Sequence, residues 1–148
     1  MHDRYLSLTE RFTEYKTMMQ GLSQYAQDKK YLEQINDGLL ILEAYYGDIN
    51  SINLITKDHR PIEPLPGNIK EYSKCQAIDV KDLLQIMVSN GMLLITKAFS
   101  DYPGLIDPLI RKNRKKALYI KMKHKGLERQ VVINLNDNTP LMIPRDIY

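Results

Sequence analysis

Through residues 3–36 the apolar side chains Tyr5, Leu8, Phe12, Tyr15, Met19, Leu22, Tyr25 and Leu32 recur mostly at three- and four-residue steps. That spacing is the period of an amphipathic helix. Gly21 and Ser23 lie inside it, and a glycine there costs about 1 kcal/mol relative to alanine, so the pattern predicts either one long helix or two. Asn36-Asp37-Gly38 is a helix-stop signal in which the glycine would supply the left-handed conformation. The period then changes. Residues 38–46, GLLILEAYY, form a short apolar and aromatic run closed by Gly47-Asp48, which predicts a buried strand.

Residues 50–68 hold Pro61, Pro64, Pro66 and Gly67 and predict a long surface connection, with at most one extended piece over 52–55. Residues 75–80 alternate as a strand does, and 83–88 fit either a strand or a helical turn. Ser89-Asn90-Gly91 marks a tight turn into 92–96, so a hairpin is expected there. Residues 116–123 set Ala117, Tyr119 and Lys121 against Leu118, Ile120 and Met122, and His124-Lys125-Gly126 turns the chain into 129–135. This is the clearest hairpin in the sequence. After a turn at Asn136-Asp137-Asn138, residues 141–143 before Pro144 predict a short terminal or edge strand.

Hairpins outnumber any βαβ unit, so the expected class is α+β: an N-terminal amphipathic helix, one piece or two, followed by a small antiparallel β-sandwich or open barrel. The boundaries are a helical docking segment over 1–36 and a β-rich domain over 37–148. A chain of 148 residues with 43% hydrophobic composition is large enough to bury one proper core.

Composition narrows this only slightly. A formal charge of +3 is a mild invitation to acidic partners. Cys75 is the single cysteine, which excludes an internal disulfide framework. No apolar run approaches the roughly 20 residues that span a bilayer, and MHDRYLSLTERF lacks a signal core and is too acidic for a cleaved mitochondrial presequence.

Candidate chemistry is thin. His2, His59 and His124 are far apart in polar contexts and read as solvated surface histidines, with no metal-ligand spacing. Cys75 opens a strand and reads as a buried or half-buried thiol acting as a small hydrophobe. Asp79, Asp82, Asp101 and Asp107 are spread along the chain with no pairing for acid and base work. Phosphate-loop, dinucleotide and serine-nucleophile motifs are all missing from the sequence. The reading is therefore no enzyme, no catalytic residue, no cofactor and no metal.

Two features point to partners instead. Arg111, Lys112, Arg114, Lys115 and Lys116, continued by Lys121, Lys123 and Lys125, concentrate positive charge in one segment. Anionic lipid is one candidate contact; nucleic acid would call for interleaved aromatics, and only Tyr119 qualifies. A solvated loop and outer hairpin face is the plainer alternative. The second feature is ten tyrosines without a tryptophan. Tyrosine suits surfaces that are buried against a partner yet partly wet, and Tyr5, Phe12, Tyr15, Met19 and Tyr25 on the N-terminal helix are the candidate partner-binding residues. A helix longer than the sheet it covers must lie on something else.

The segments GLLILEAYYG (38–47), AIDV (77–80), LQIMV (84–88), LLIT (93–96), PGLIDP (103–108), ALYI (117–120) and PLMIP (140–144) occur in that order. Together they resemble the C-terminal domain of the mitochondrial DnaJ homologue subfamily C member 11 over about residues 37–146. The G-L-x-I-x-x-A-x-Y-G opening and the P-G-x-x-D-P loop carry most of the likeness. The resemblance implies a mitochondrial protein peripheral to a membrane and associated with cristae-organising assemblies, with no catalytic residue to carry over. The chain has no His-Pro-Asp tripeptide, His59-Arg60-Pro61 being the nearest string, so co-chaperone activity is not expected. Either an excised fragment or a stand-alone protein that kept only the C-terminal module fits, and Met1 favours the second. The resulting expectation is a non-enzymatic structural subunit of a respiratory-chain or cristae-organising complex, with a basic module for anionic lipid or RNA as the alternative.

Overall fold

The computed structural model describes residues 2–57, 60–65, 67–102, 105–109, 115–135 and 140–147, with the side chains of residues 2–7, 97 and 98 outside that description. Helix α1 (His2–Ile35) is one continuous element. Gly21 does not break it, because the residue is exposed and even an added Cβ would meet nothing within 4 Å. The chain then forms β1 (Leu39–Asp48), α2 (Ile49–Ile55), α3 (Ile69–Tyr72), β2 (Ala77–Asp79), α4 (Lys81–Met87) and β3 (Leu93–Ile95). A short 3-10 turn over Lys97–Asp101 precedes β4 (Lys116–His124), β5 (Leu127–Asn134) and β6 (Leu141–Ile143).

The strands make two antiparallel sheets, one of four strands in the order β2-β1-β4-β5 and one pairing β3 with β6. The class is α+β, and the four-stranded sheet is open rather than closed into a barrel. Its faces follow the alternation of β4. Leu118, Ile120 and Met122 enter the main core with Ala44 and Tyr46 of β1, under α1 and α4. Ala117 and Tyr119 face the other way and close a smaller core with Ile52 and Ile55 of α2, Cys75 and Ala77. Tyr45 stacks on Tyr119 there, ring centroids 6.3 Å apart, while Tyr46 meets Phe99 edge-on in the main core.

Two positions show how local chemistry sets this arrangement. Gly47 faces Ala77 across the β1–β2 pair, where an added Cβ would lie 2.1 Å from the Gln76 carbonyl oxygen, so only glycine lets the strands approach. β2 pairs with β1 only over residues 45–47, which leaves the start of β1 without a strand on that side. The buried Gln85 side chain of α4 takes that place: its Oε1 accepts from the Ile41 N–H at 2.8 Å and its Nε2 donates to the Leu39 carbonyl at 3.2 Å. One amide thus imitates a strand edge beside the β1 bulge between Ile41 and Glu43.

Several sequence expectations change. Residues 52–55 lie in α2 rather than an extended piece; Asp48 caps that helix, its Oδ2 accepting from the Ser51 N–H at 3.3 Å. Residues 83–88 are largely helical, so the turn at Ser89-Asn90-Gly91 leads from a helix into β3, and the predicted hairpin partner is replaced by β6. The β4–β5 hairpin forms as read. The turn predicted at 136–138 lies outside the described residues.

Candidate docking surface

α1 is long for the body it covers. Its 34 residues run about 51 Å at 1.5 Å per residue, against about 33 Å for the ten residues of β1. The inward line of the helix begins with Leu8, Phe12 and Tyr15, all buried, and continues through Met18 and Met19 packed on the core to the fully covered Ala26. Tyr15 adds a hydrogen bond from its hydroxyl to the Asp79 carbonyl at 2.9 Å. Burial, with the Asp79 charge adding to it, raises the Tyr15 phenol above its ordinary range.

Beyond Ala26 the two sides of the helix exchange character. The inward line continues into the half-buried Lys29 and Glu33, while Tyr25, Tyr31, Leu32 and Ile35 stand 51%, 62%, 54% and 61% exposed. At 3.6 residues per turn these four fall within an arc of roughly 120°. No single apolar stripe runs the length of α1; the amphipathic pattern splits into a core face and an outward face.

The outward face borders an open cleft of about 720 Å³ lined by Lys29, Leu32 and Glu33 of α1, the turn around Asn90, Met92, His124, Lys125 and Arg145. Three left-handed turns build its rim: Asp37 at φ 53°, Asn90 and Gly91 at 52° and 74°, and Lys125 and Gly126 at 50° and 82°. The helix ends with the Gly38 N–H on the Glu33 carbonyl at 2.8 Å and the Asp37 N–H on that of Gln34 at 3.3 Å. Asp37, not Gly38, therefore adopts the left-handed conformation. Gly38 instead lies against the Glu33 carboxylate, whose Oε1 would be 2.6 Å from a Cβ there and would have to shift to admit one. That oxygen accepts from the Leu39 N–H at 3.2 Å, and Arg145 pairs with Asp146 at 3.0 Å. Lys29 and Lys125 make no ion pair with any described residue. Met92 stands 43% exposed on the opposite wall.

The residues expected to bind a partner are placed unevenly. Phe12 and Tyr15 are core residues, Met19 is partly buried against the core, and Tyr25 is on the outward face. Tyr5 lies in α1 with its side chain outside the described residues. Tyr31, Ile35 and Met92 were not singled out, although the steps Tyr25, Leu32, Ile35 continue a seven- and three-residue spacing that helix length alone could have marked as surplus to the core.

Of the basic segment, Arg111, Lys112 and Arg114 lie outside the described residues. Lys115 is exposed, its carbonyl accepting from the Ile49 N–H at 3.0 Å. Lys116 is half-buried and pairs with Asp107 at 3.3 Å, which fastens the start of β4 to residues 105–109.

Cys75 is buried, with Sγ 3.8 Å from the Ser51 carbonyl, and desolvation raises its thiol above the usual range. It packs in the smaller core against Ile52, Ala77 and Tyr119, as a small hydrophobe does. His124 sits in β4 opposite Leu39 and Leu127; His59 is outside the described residues. Among the described residues no three of His, Cys, Asp and Glu gather as a metal would need, and no helix is long and apolar enough to cross a membrane.

No curated protein and no solved structure shows significant similarity to the chain. The family model described as "DnaJ-like protein C11, C-terminal" matches residues 3–144. The match begins inside α1, so the helix is part of the family's domain together with the sheets. With the match spanning the helix, both sheets and the cleft between them, the chain belongs to the family of DnaJ-like protein C11 C-terminal domains.

Proposed function

We propose that this chain is a non-catalytic accessory domain of a mitochondrial membrane assembly, a respiratory-chain or cristae-organising complex, held peripheral to the membrane by protein contacts. The observation that carries the reading is the reversal along α1: a helix whose first half completes the core while its second half turns two tyrosines, a leucine and an isoleucine to solvent. Exposed apolar side chains gathered on one arc of a helix, here around the exposed Asp28, are a common mark of a protein contact. Family membership supports an accessory role within a DnaJ-like system, and the burial of Cys75 in the smaller core supports its reading as a packing group.

Affinity purification of the tagged chain from its native cells in mild detergent, followed by native electrophoresis and mass spectrometry, tests this. Stoichiometric co-migration with a membrane complex is the expected result. A free monomer would contradict it and turn attention to anionic vesicles and RNA across a salt series, since contacts made by the basic segment would weaken steeply with salt.

A further inference from the structure

β5 ends the four-stranded sheet, with β4 on one side and no strand on the other. Its register with β4 runs unbroken over all eight of its residues. Residues 127–134 contain neither proline nor lysine, and no bulge turns the strand away, so the usual devices that blunt a sheet edge are missing from it. The direction of its backbone groups follows from one bond. The Leu135 N–H donates to the Lys116 carbonyl at 3.2 Å, so Arg129, Val131 and Ile133, at two-residue steps from Leu135, also turn their N–H and C=O groups toward β4. Glu128, Gln130 and Val132 turn theirs outward, where they have no backbone partner among the described residues. All three are exposed.

An edge of this kind is matched by another strand, and β5 is complementary to itself. The apolar triplet Val131-Val132-Ile133 is centred on Val132, an outward residue. A two-fold antiparallel copy sets Val132 opposite Val132 as a hydrogen-bonded pair, and Val131 opposite Ile133 on the face that packs against the main core. Gln130 then falls opposite Asn134, amide against amide. The two Arg129 residues are six positions apart, about 20 Å. Moving the axis to Gln130 would instead set Val131 and Val132 against Arg129 and Glu128 and bring the two Arg129 side chains onto one diagonal, a like-charge contact.

We propose that two copies of this chain pair antiparallel through β5 about an axis at Val132, joining their four-stranded sheets into one continuous sheet. The pairing is isologous and uses up the edge on both copies, so it closes at two. It involves neither α1 nor any other subunit. It therefore goes beyond the accessory-domain reading and is the same in the isolated chain as in an assembly.

Sedimentation equilibrium of the full chain up to about 1 mM reads the association. The wild-type chain passes from monomer to dimer and no further. Val132→Lys and Val132→Glu each place like charges across the axis and weaken the dimer at least about tenfold, and an equimolar mixture of the two restores it as a heterodimer. Val132→Cys crosslinks two chains on air oxidation, because hydrogen-bonded partners with Cα atoms about 5.5 Å apart suit a disulfide, and Glu128→Cys does not. A chain that stays monomeric throughout overturns the proposal and leaves the edge to a strand of another protein. So does association beyond two copies, a dimer that both charged variants keep, or one that Leu32→Ser dissolves, which would place the contact on α1. Should the charged variants lose their circular dichroism signal, the cysteine pair decides: equal crosslinking from Val132→Cys and Glu128→Cys overturns the pairing.

Discussion

The two halves of α1 have the same backbone and similar proportions of apolar residues, yet they do opposite things. In the first, Phe12 and Tyr15 are buried under the body of the domain. In the second, residues of the same chemical type face water, and the side toward the body carries Lys29 and Glu33. An apolar residue at helical spacing therefore marks a surface to be covered without saying by what. Where the sheet and α4 lie beneath the helix, they cover it. Where the helix ends at the cleft, the remaining stripe stays exposed.

The largest effect expected to separate the halves is on stability. Phe12→Ala should cost about 3–5 kcal/mol, as truncation of a buried aromatic does. Leu32→Ser and Tyr31→Ser should each stay within about 0.5 kcal/mol. Chemical denaturation measures both, and a large loss at Leu32 would mean that the outward face is part of the core.

Gln85→Leu probes the floor on which the buried half rests. It leaves the Ile41 N–H and Leu39 carbonyl without partners in a dry site, and we expect a loss of about 3 kcal/mol, at 1–3 kcal/mol for each stranded group. Retained stability would show that water reaches β1.

Alkaline titration sharpens the contrast by another route. Burial raises the phenols of Tyr15, Tyr46 and Tyr72, helped by Asp79 at the first and Asp107 at the other two. The native state thus keeps protons that the unfolded chain releases at about pH 10. Their contribution to stability is whole below that pH and is lost as pH climbs toward the raised native values. Phenolate absorbance of these three should appear together with loss of the circular dichroism signal. Ionisation of Tyr15 in a chain that is still folded would contradict its burial.

The smallest effect is at the junction of the halves. Gly21 is exposed and helical with open space where a Cβ would go, so Gly21→Ala should raise stability by about 0.5–1 kcal/mol. A loss would indicate that the helix bends there in solution.

What could be read from the chain follows from how local each signal is. The β4–β5 hairpin was legible because its alternation and its Lys125-Gly126 turn lie within 20 residues of one another. The β3–β6 pair was not, because its strands are about 45 residues apart and nothing local names the partner. The left-handed position falls at Asp37 rather than Gly38, where the helix-ending bonds from the Asp37 and Gly38 N–H groups place it, one residue before the glycine that a composition rule selects. In the candidate site, Tyr25 was readable from spacing, but which of the helix's apolar residues were surplus depended on where the sheet stops. Met92 came from a turn that the sequence assigned to a hairpin.

Hydroxyl-radical labelling of the chain alone and within its native assembly tests the central claim most directly. Labelling of Tyr25, Tyr31 and Ile35 should fall on assembly while that of Val132, exposed on β5, stays unchanged. Equal labelling of those three helix residues in both states, with protection elsewhere, would show that the outward half of α1 is not the docking surface.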